Sequence, residues 1–234
     1  MANMAIIPAR GGSKRIPRKN IREFMGRPMI SYAISAALES GIFDEVMVST
    51  DDMEIAEEAR RFGARVPFMR SPRNSGDSAT VSEVVLEVLD KYSCRGKSFS
   101  RVAVILPCVP LLTGDMLSEA WKKFVVSSAD ALLPVVRYDF PVQRAMELGE
   151  DGFLEYREPE NAARRSQDLE PVFHDCGMFC FVKVDSLLKT KILVVPRTIP
   201  YEISAERVQD IDTPSDLRIA EIKYQTMYGV QNRT

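Results

Sequence analysis

Met4-Ala5-Ile6-Ile7-Pro8 runs straight into Ala9-Arg10-Gly11-Gly12-Ser13-Lys14-Arg15-Ile16-Pro17-Arg18-Lys19-Asn20. The apolar run reads as a short strand and the glycine pair as the loop it enters. Gly11 and Gly12 can take backbone angles that other residues resist, so main-chain N–H groups can converge on an anion. Five cations, Arg10, Lys14, Arg15, Arg18 and Lys19, stand within ten positions of one another. Together these features predict a cradle for polyphosphate. The spacing is neither Gly-x-x-x-x-Gly-Lys-[Ser/Thr] nor Gly-x-Gly-x-x-Gly, which disfavours both a kinase or ATPase P-loop and a dinucleotide-binding fold. The plain alternative is a solvated basic loop, against which stand the strand leading in and the paired glycines.

Outward from this loop, strand-like and helix-like segments alternate, the pattern of a mostly parallel sheet covered by helices. Met29 to Leu38 is apolar at helical spacing and stops at Gly41. Glu45 to Ser49 reads as the second strand. Asp52 opens a helix with Ile55, Ala56, Ala59 and Phe62 on one face and Gly63 at its end, followed by a short extended piece, Val66 to Met69. The turn formers between Arg70 and Ser78 lead into an apolar helix from Thr80 to Tyr92. Val102 to Leu106 is a continuous apolar run, as a central strand buried on both faces requires. A helix over Met116 to Val126 and a strand over Ala131 to Val136 follow. From Tyr138 to Val172 the periodicity fails, and this stretch reads as an inserted excursion. Strands are expected again at Gly177 to Val182 and Ile199 to Ile203. The last helix, Thr213 to Met227, opens with Thr213 at the N-cap, Pro214 at the first helical position and Asp216 three residues after the cap.

The chain has 234 residues, 45% of them hydrophobic, and a formal net charge of -2. That size supports a single domain, residues 1–234, with 138–172 as its excursion. Positive charge gathers in the amino-terminal loop and near Arg164-Arg165 instead of forming a stripe, so nucleic acid is not an expected partner. No apolar run approaches the roughly 20 residues of a membrane span, and the amino terminus lacks a secretory pattern; the expectation is a cytoplasmic protein with no membrane partner. Four cysteines, Cys94, Cys108, Cys176 and Cys180, read as reduced core thiols. Their spacing, with one histidine in the chain, does not make a closed zinc site. A metal here would be one that favours oxygen ligands.

Asp210-Ile211-Asp212 supplies such ligands. Two aspartates one residue apart in an extended segment project to the same side and can share a divalent cation, for which Mg²⁺ is the natural choice because it accepts one or two carboxylates plus substrate phosphates. The structural alternative is that both merely solvate the helix entrance. With Arg10, Lys14 and Lys19 neutralising phosphates and the charge on departing pyrophosphate, the combination reads as nucleotidyl transfer.

Ile7-Pro8-Ala9-Arg10-Gly11-Gly12-Ser13-Lys14, with Lys19-Asn20, resembles the signature of the sugar-activating cytidylyltransferases typified by CMP-sialic acid synthetases. Val48-Ser49-Thr50-Asp51-Asp52, the Arg70 to Asp77 loop and Asp210-Ile211-Asp212 recur in register, so the resemblance spans nearly the whole chain. Phe140-Pro141-Val142-Gln143-Arg144-Ala145, Arg165-Ser166-Gln167-Asp168-Leu169 and His174-Asp175-Cys176-Gly177 are most similar to the pseudaminic acid cytidylyltransferases within that family. The resemblance implies a three-layer α/β nucleotidyltransferase (Rossmann-like) fold with a mostly parallel sheet, CTP and a nonulosonic acid as substrates, Mg²⁺, pyrophosphate release and a homodimer; the break in alternation and the polar residues crowded into 138–172 make that excursion the expected dimer contact. It also implies roles: Arg10, Lys19, Asp210 and Asp212 as catalytic residues, the two aspartates binding metal. Arg10, Gly11, Gly12, Ser13, Lys14, Lys19, Asn20, Arg70, Asp77 and Thr80 would bind nucleotide. Gln143, Arg144, Arg165, Gln167, Asp168, His174 and Asp175 would meet the sugar acid, to which their charges and hydrogen-bonding groups are suited.

Two departures bear on the substrate. Where sialic acid synthetases commonly carry Gln-Pro-Thr-Ser-Pro-Leu-Arg, this chain has Leu106-Pro107-Cys108-Val109-Pro110-Leu111-Leu112, and Gln143 falls where they usually have lysine. Both shift the expected substrate away from N-acetylneuraminic acid, while the Pro107 to Leu112 segment also differs from the pseudaminic acid group; pseudaminic acid is the expectation from the later motifs, with CMP-N-acetylneuraminic or CMP-legionaminic acid synthesis as the alternatives within the class. Outside it, the rival is a non-catalytic nucleotide-binding regulator.

Overall fold

Alternate residues of the first strand, β1 (Asn3–Pro8), face opposite layers. Ala5 and Ile7 pack into one apolar cluster, Met4 and Ile6 into another, and all four are completely buried. In the computed structural model, which describes residues 2–229, a small ribbon of β2 (Glu23–Phe24) and β3 (Arg27–Pro28) follows the basic loop and leads into α1 (Met29–Glu39). Next come β4 (Glu45–Ser49), α2 (Met53–Arg61), α3 (Val81–Ser93), β5 (Arg101–Ile105), α4 (Gly114–Val126) and β6 (Ala131–Arg137). The excursion holds a hairpin of β7 (Met146–Leu148) and β8 (Leu154–Tyr156). The chain closes with β9 (Phe173–Asp175), β10 (Phe179–Lys183), α5 (Val184–Thr190), β11 (Thr198–Glu202) and α6 (Pro214–Tyr228).

The main sheet has the order β11-β6-β10-β5-β1-β4, with β9 also on β6. β4, β1, β5, β6 and β11 run one way, while β10 and β9 run against them, so the sheet is mixed but mostly parallel. The reversal has a local cause. After the excursion the chain returns directly alongside β6, pairing Asp175 with Val135 and Phe181 with Leu132. An antiparallel return needs no crossover helix. Between those pairs Gly177 takes φ +62°, and the chain bulges.

Helices α1, α2 and α4 cover one face through Ile34, Ile55 and Phe124, and α3 and α5 cover the other through Val85, Val88 and Leu187. The expected three-layer α/β architecture is therefore present. Helix starts follow their expected chemistry: the Asp52 carboxylate accepts from Ile55 N at 3.1 Å, and Thr80 and Thr213 form capping boxes with Glu83 and Asp216. Val66 to Met69 is not a strand; only a single bridge, Arg65 to Met47, marks that region. Cys94 is exposed at the end of α3 instead of lying in the core, unlike Cys108, Cys176 and Cys180.

A third cluster joins Ile16 of the basic loop, Phe24, Tyr32, Cys108, Ile211 and Leu217. Phe24, Tyr32 and Tyr224 meet edge to face at 5.5–5.6 Å, and the Tyr32 hydroxyl donates to Phe24 O at 2.8 Å. This cluster fastens the basic loop, the end of β5 and the aspartate segment to α6. Among the described residues no helix is long and apolar enough to cross a membrane.

Candidate active site

The basic loop leaves β1 at its carboxyl end and lines a cavity of about 490 Å³ with Arg10, Ser13, Lys14, Arg15, Lys19, Asn20, Asp77 and Asp212. Each cation in it is matched to an acid. Arg10 donates to Asp77 at 2.7 Å and Lys14 to the other Asp77 oxygen at 2.5 Å, which holds that carboxyl below the usual carboxylate range. Arg15 pairs with Asp212 at 2.9 Å, and Lys19 donates to Ile211 O at 2.6 Å and to Asp212 at 3.3 Å. Arg18 is turned away, at φ +55°, to pair with Asp52 and Glu54.

The glycines act differently from their expected role. The Gly11 N–H donates to Asp51 at 3.0 Å, and a Cβ at Gly11 would lie 2.6 Å from the Asp52 carboxylate; glycine is required there for close approach, and neither Gly11 nor Gly12 lines the cavity. Arg70 is buried and donates to Ser49 Oγ at 3.1 Å and to the Ser49 carbonyl, with burial pulling its pKa down. It ties its loop to β4 without lining the cavity. Thr80 also stands outside, its hydroxyl committed to Glu83.

Asn20 reveals a contact that sequence reading passed over. Its amide donates to Arg10 O at 2.8 Å, while the Cys108 thiol donates to its Oδ1 at 3.3 Å. Burial, with Asp210 and Asp212 nearby, pushes that thiol up to about 12, so it remains an S–H donor. Nothing in Pro107-Cys108 itself signals the contact, because Asn20 lies 88 residues away in the chain.

Asp210 and Asp212 flank the buried Ile211 and open onto different cavities. Asp212 lines the first. Asp210 lines a second of about 440 Å³ with Arg137, Tyr138, Asp139, His174, Asp175 and Lys223. Partial burial, and then the charge of Asp212, raise the Asp210 carboxyl above its ordinary value. A cation beside Asp210 would offset that repulsion. Gly177 leaves room beside Asp210, where a Cβ would sit 3.6 Å from its Cγ. Two carboxylates flanking one residue are a donor set that suits an ion which takes two carboxylates and completes its shell with water and phosphate, as Mg²⁺ does.

The expected sugar residues divide. His174 and Asp175 line the second cavity, with the His174 ring 4.8 Å from that of Tyr138. Gln143 and Gln167 line a third, about 260 Å³, which shares Arg137, Tyr138 and Asp139 with the second. Arg144, Arg165 and Asp168 line none of these within one chain. Arg137, Tyr138, Asp139 and Lys223 are additions. The first three sit where β6 ends and its alternation stops, and Lys223 gave no sequence signal because its neighbours come from a distant turn.

A basic loop at the carboxyl end of a parallel strand faces Asp212 across a cavity sized for nucleotide phosphates, with Asp210 on an adjoining cavity, an arrangement suited to a nucleotidyltransferase. Residues 4–95 match the family model described as Cytidylyltransferase. The chain is 40% identical to the pseudaminic acid cytidylyltransferase of Campylobacter jejuni serotype O:2 across 96% of this chain and 97% of that one. It is 30% identical to the CMP-N,N'-diacetyllegionaminic acid synthase of Legionella pneumophila across 94% and 95%. The chain belongs to the cytidylyltransferase family and is an enzyme of the nucleotidyltransferase class. Its fold matches a CMP:2-keto-3-deoxy-manno-octonic acid synthetase solved with CTP, with a TM-score of 0.70 at 16% identity over 97% of this chain and all of that one.

Proposed function

We propose that this protein transfers the cytidylyl group of CTP to the anomeric hydroxyl of pseudaminic acid, forming the CMP-sugar and pyrophosphate. One observation carries the reading: Asp212 faces a basic cavity suited to a triphosphate, while Asp210, two residues away, faces a second cavity rich in hydrogen-bonding groups. The relatives named for activation of pseudaminic and legionaminic acids support the substrate class.

In this reading Arg10 and Lys14 receive the outer phosphates, exchanging their Asp77 partner for phosphate oxygens. Lys19, fixed by Ile211 O beside Asp212, faces the α-phosphoryl group and stabilises charge as the bond to pyrophosphate lengthens. Asp210 and Asp212 would hold Mg²⁺, which when bound neutralises phosphate charge and favours attack at phosphorus. His174, Asp175 and Asp139 orient the sugar hydroxyls and amides. Most of the rate enhancement comes from positioning and charge neutralisation.

A homodimer is part of the proposal. Within the excursion Met146, Leu148, Phe153 and Leu154 are all at least 47% exposed, an apolar display that a second copy would cover. Arg165, outside the cavities of its own chain, would then reach the partner's sugar site.

The test is pyrophosphate release from CTP and Mg²⁺ with pseudaminic, N,N'-diacetyllegionaminic and N-acetylneuraminic acids in parallel. Pseudaminic acid should have the highest kcat/KM. No release with any of the three would overturn the reading, and a preference for another acid would reassign the substrate.

A further inference from the structure

The two cavities that meet at Ile211 treat positive charge in opposite ways. On the nucleotide side Arg10 and Lys14 pair with Asp77, and Arg15 and Lys19 with Asp212. In the second cavity Arg137 and Lys223 both line the space that Asp210 borders, and neither makes an ion pair among the described residues. Lys223 rises from α6 and donates to Ala205 O at 2.9 Å and Val208 O at 2.6 Å. Those carbonyls fix the ammonium and occupy two of its three N–H donors, leaving one for a ligand. Arg137 ends β6 with its guanidinium exposed and free of hydrogen bonds to described residues. Of the acids that share the cavity, Asp175 already accepts the Gly177 N–H at 2.8 Å, and Asp210 belongs to the metal pair. Asp139 is exposed and makes no ion pair with either cation, although its charge acts on Lys223 across the cavity and opposes the lowering of the Lys223 pKa by burial.

Two unmatched cations in a cavity call for an anionic ligand. We infer that Arg137 and Lys223 form the seat for the carboxylate of the sugar acid, an inference that rests on the proposed activation of a nonulosonic acid. The chemistry of the substrate supplies the geometry. In a 2-ulosonic acid the carboxylate is bonded to the anomeric carbon, so a hydroxyl directed towards Asp210 must bring its carboxylate into the same cavity. Gln143 does not compete for this role. It lines the neighbouring cavity, is neutral, and donates its amide to Glu170 O at 2.8 Å.

Steady-state kinetics with saturating CTP and varied pseudaminic acid test the seat, together with inhibition by the same sugar in which the carboxylate is a primary carboxamide. Arg137→Gln should raise KM for the acid at least tenfold and leave KM for CTP within twofold. Lys223→Met should do the same, and Lys223→Arg should recover most of the loss. The decisive readout is discrimination. Wild type should bind acid at least tenfold better than amide, and Arg137→Gln should bind the two within about threefold. Should Lys223→Met prove unstable in a thermal melt, Arg137→Gln still decides, because its side chain supports nothing else in the fold. If that variant keeps the wild-type preference for acid over amide, or weakens both ligands equally, the seat is wrong although the enzyme still turns over. If wild type turns over none of the nonulosonic acids, the underlying functional reading fails instead.

Discussion

Glu87 lies on α3 away from the phosphates, yet it holds the loop that carries Asp77. Its carboxylate accepts from Ser71 N at 2.8 Å, Ser71 Oγ at 2.7 Å, Asn74 Nδ2 at 2.5 Å and Lys91 Nζ at 2.5 Å. Burial alone would raise its pKa, but these donors outweigh burial and bring it from 4.5 down to about 2. With the side chain only 13% exposed, the shift is worth about 3 kcal/mol of folding free energy at neutral pH. Glu87→Gln keeps the shape but turns one acceptor into a donor, facing hydrogens on Ser71 and Asn74. We expect a loss of about 2–3 kcal/mol, or roughly 5–10 °C in Tm for a chain of this length. Because the native pKa is depressed, the contribution is complete above the free carboxyl's pKa and disappears as the pH falls towards 2. The stability gap between wild type and variant should therefore hold steady from pH 7 to 5 and shrink by about 2 kcal/mol between pH 6 and 3. Urea titrations at four pH values measure it. A gap below about 0.5 kcal/mol at pH 7, or one that does not change down to pH 3, would refute the assigned network. A looser Asp77 loop should also raise KM for CTP.

Asp212→Ala and Asp210→Ala should each abolish pyrophosphate release with little change in Tm; near-normal turnover of either in saturating Mg²⁺ would remove that residue from the metal site. Arg10→Ala and Lys19→Ala should lower kcat about a hundredfold or more, about 3 kcal/mol, with a smaller rise in KM for CTP, and an effect confined to KM would limit the loop to binding. Cys108→Val, which fills the space but cannot donate to Asn20, should raise KM for CTP several-fold, whereas Cys108→Ser should behave like wild type; equal kinetics for both would show that the thiol only packs. Arg165→Ala should raise KM for the sugar far more than for CTP, and mixing it with Asp212→Ala should restore some activity. A monomer by sedimentation that is fully active would exclude the shared site.

What could be read in the sequence were elements decided by short-range rules. The Thr213-Pro214-Asp216 cap and the apolar run from Met4 to Pro8 mark a helix start and a strand by short-range rules, and both are present. The reversed direction of β10 could not be read, since strand polarity depends on where the excursion returns. The glycine pair was legible as a loop, but its reason was not: Asp52, forty-one residues on in the chain, is what crowds a side chain at Gly11. Lys223 and Cys108 were missed for the same cause. Their partners, Ala205 O, Val208 O and Asn20, are distant in sequence, and a lone lysine or cysteine carries no periodic signal.

The segment Asp210-Ile211-Asp212 shows how a small motif can join two binding steps. Ile211, 1% exposed, is anchored in the cluster that also holds Ile16 of the basic loop and Leu217 of α6. Extended backbone advances about 7 Å in two residues, so anchoring the middle residue fixes the two carboxylates at the rims of adjoining cavities. In the proposed reaction, phosphate delivered to the side of Asp212 and hydroxyl delivered to the side of Asp210 would converge over one backbone position. Lys19 reinforces the junction by donating to the Ile211 carbonyl itself, so the cation proposed to meet the α-phosphoryl group is positioned by the residue that spaces the aspartates. The same cluster ties Lys223, on α6, to this reference point. Nucleotide loop, acid pair and sugar-side cation are thus registered against one buried core, and an error in its packing would misplace all three together.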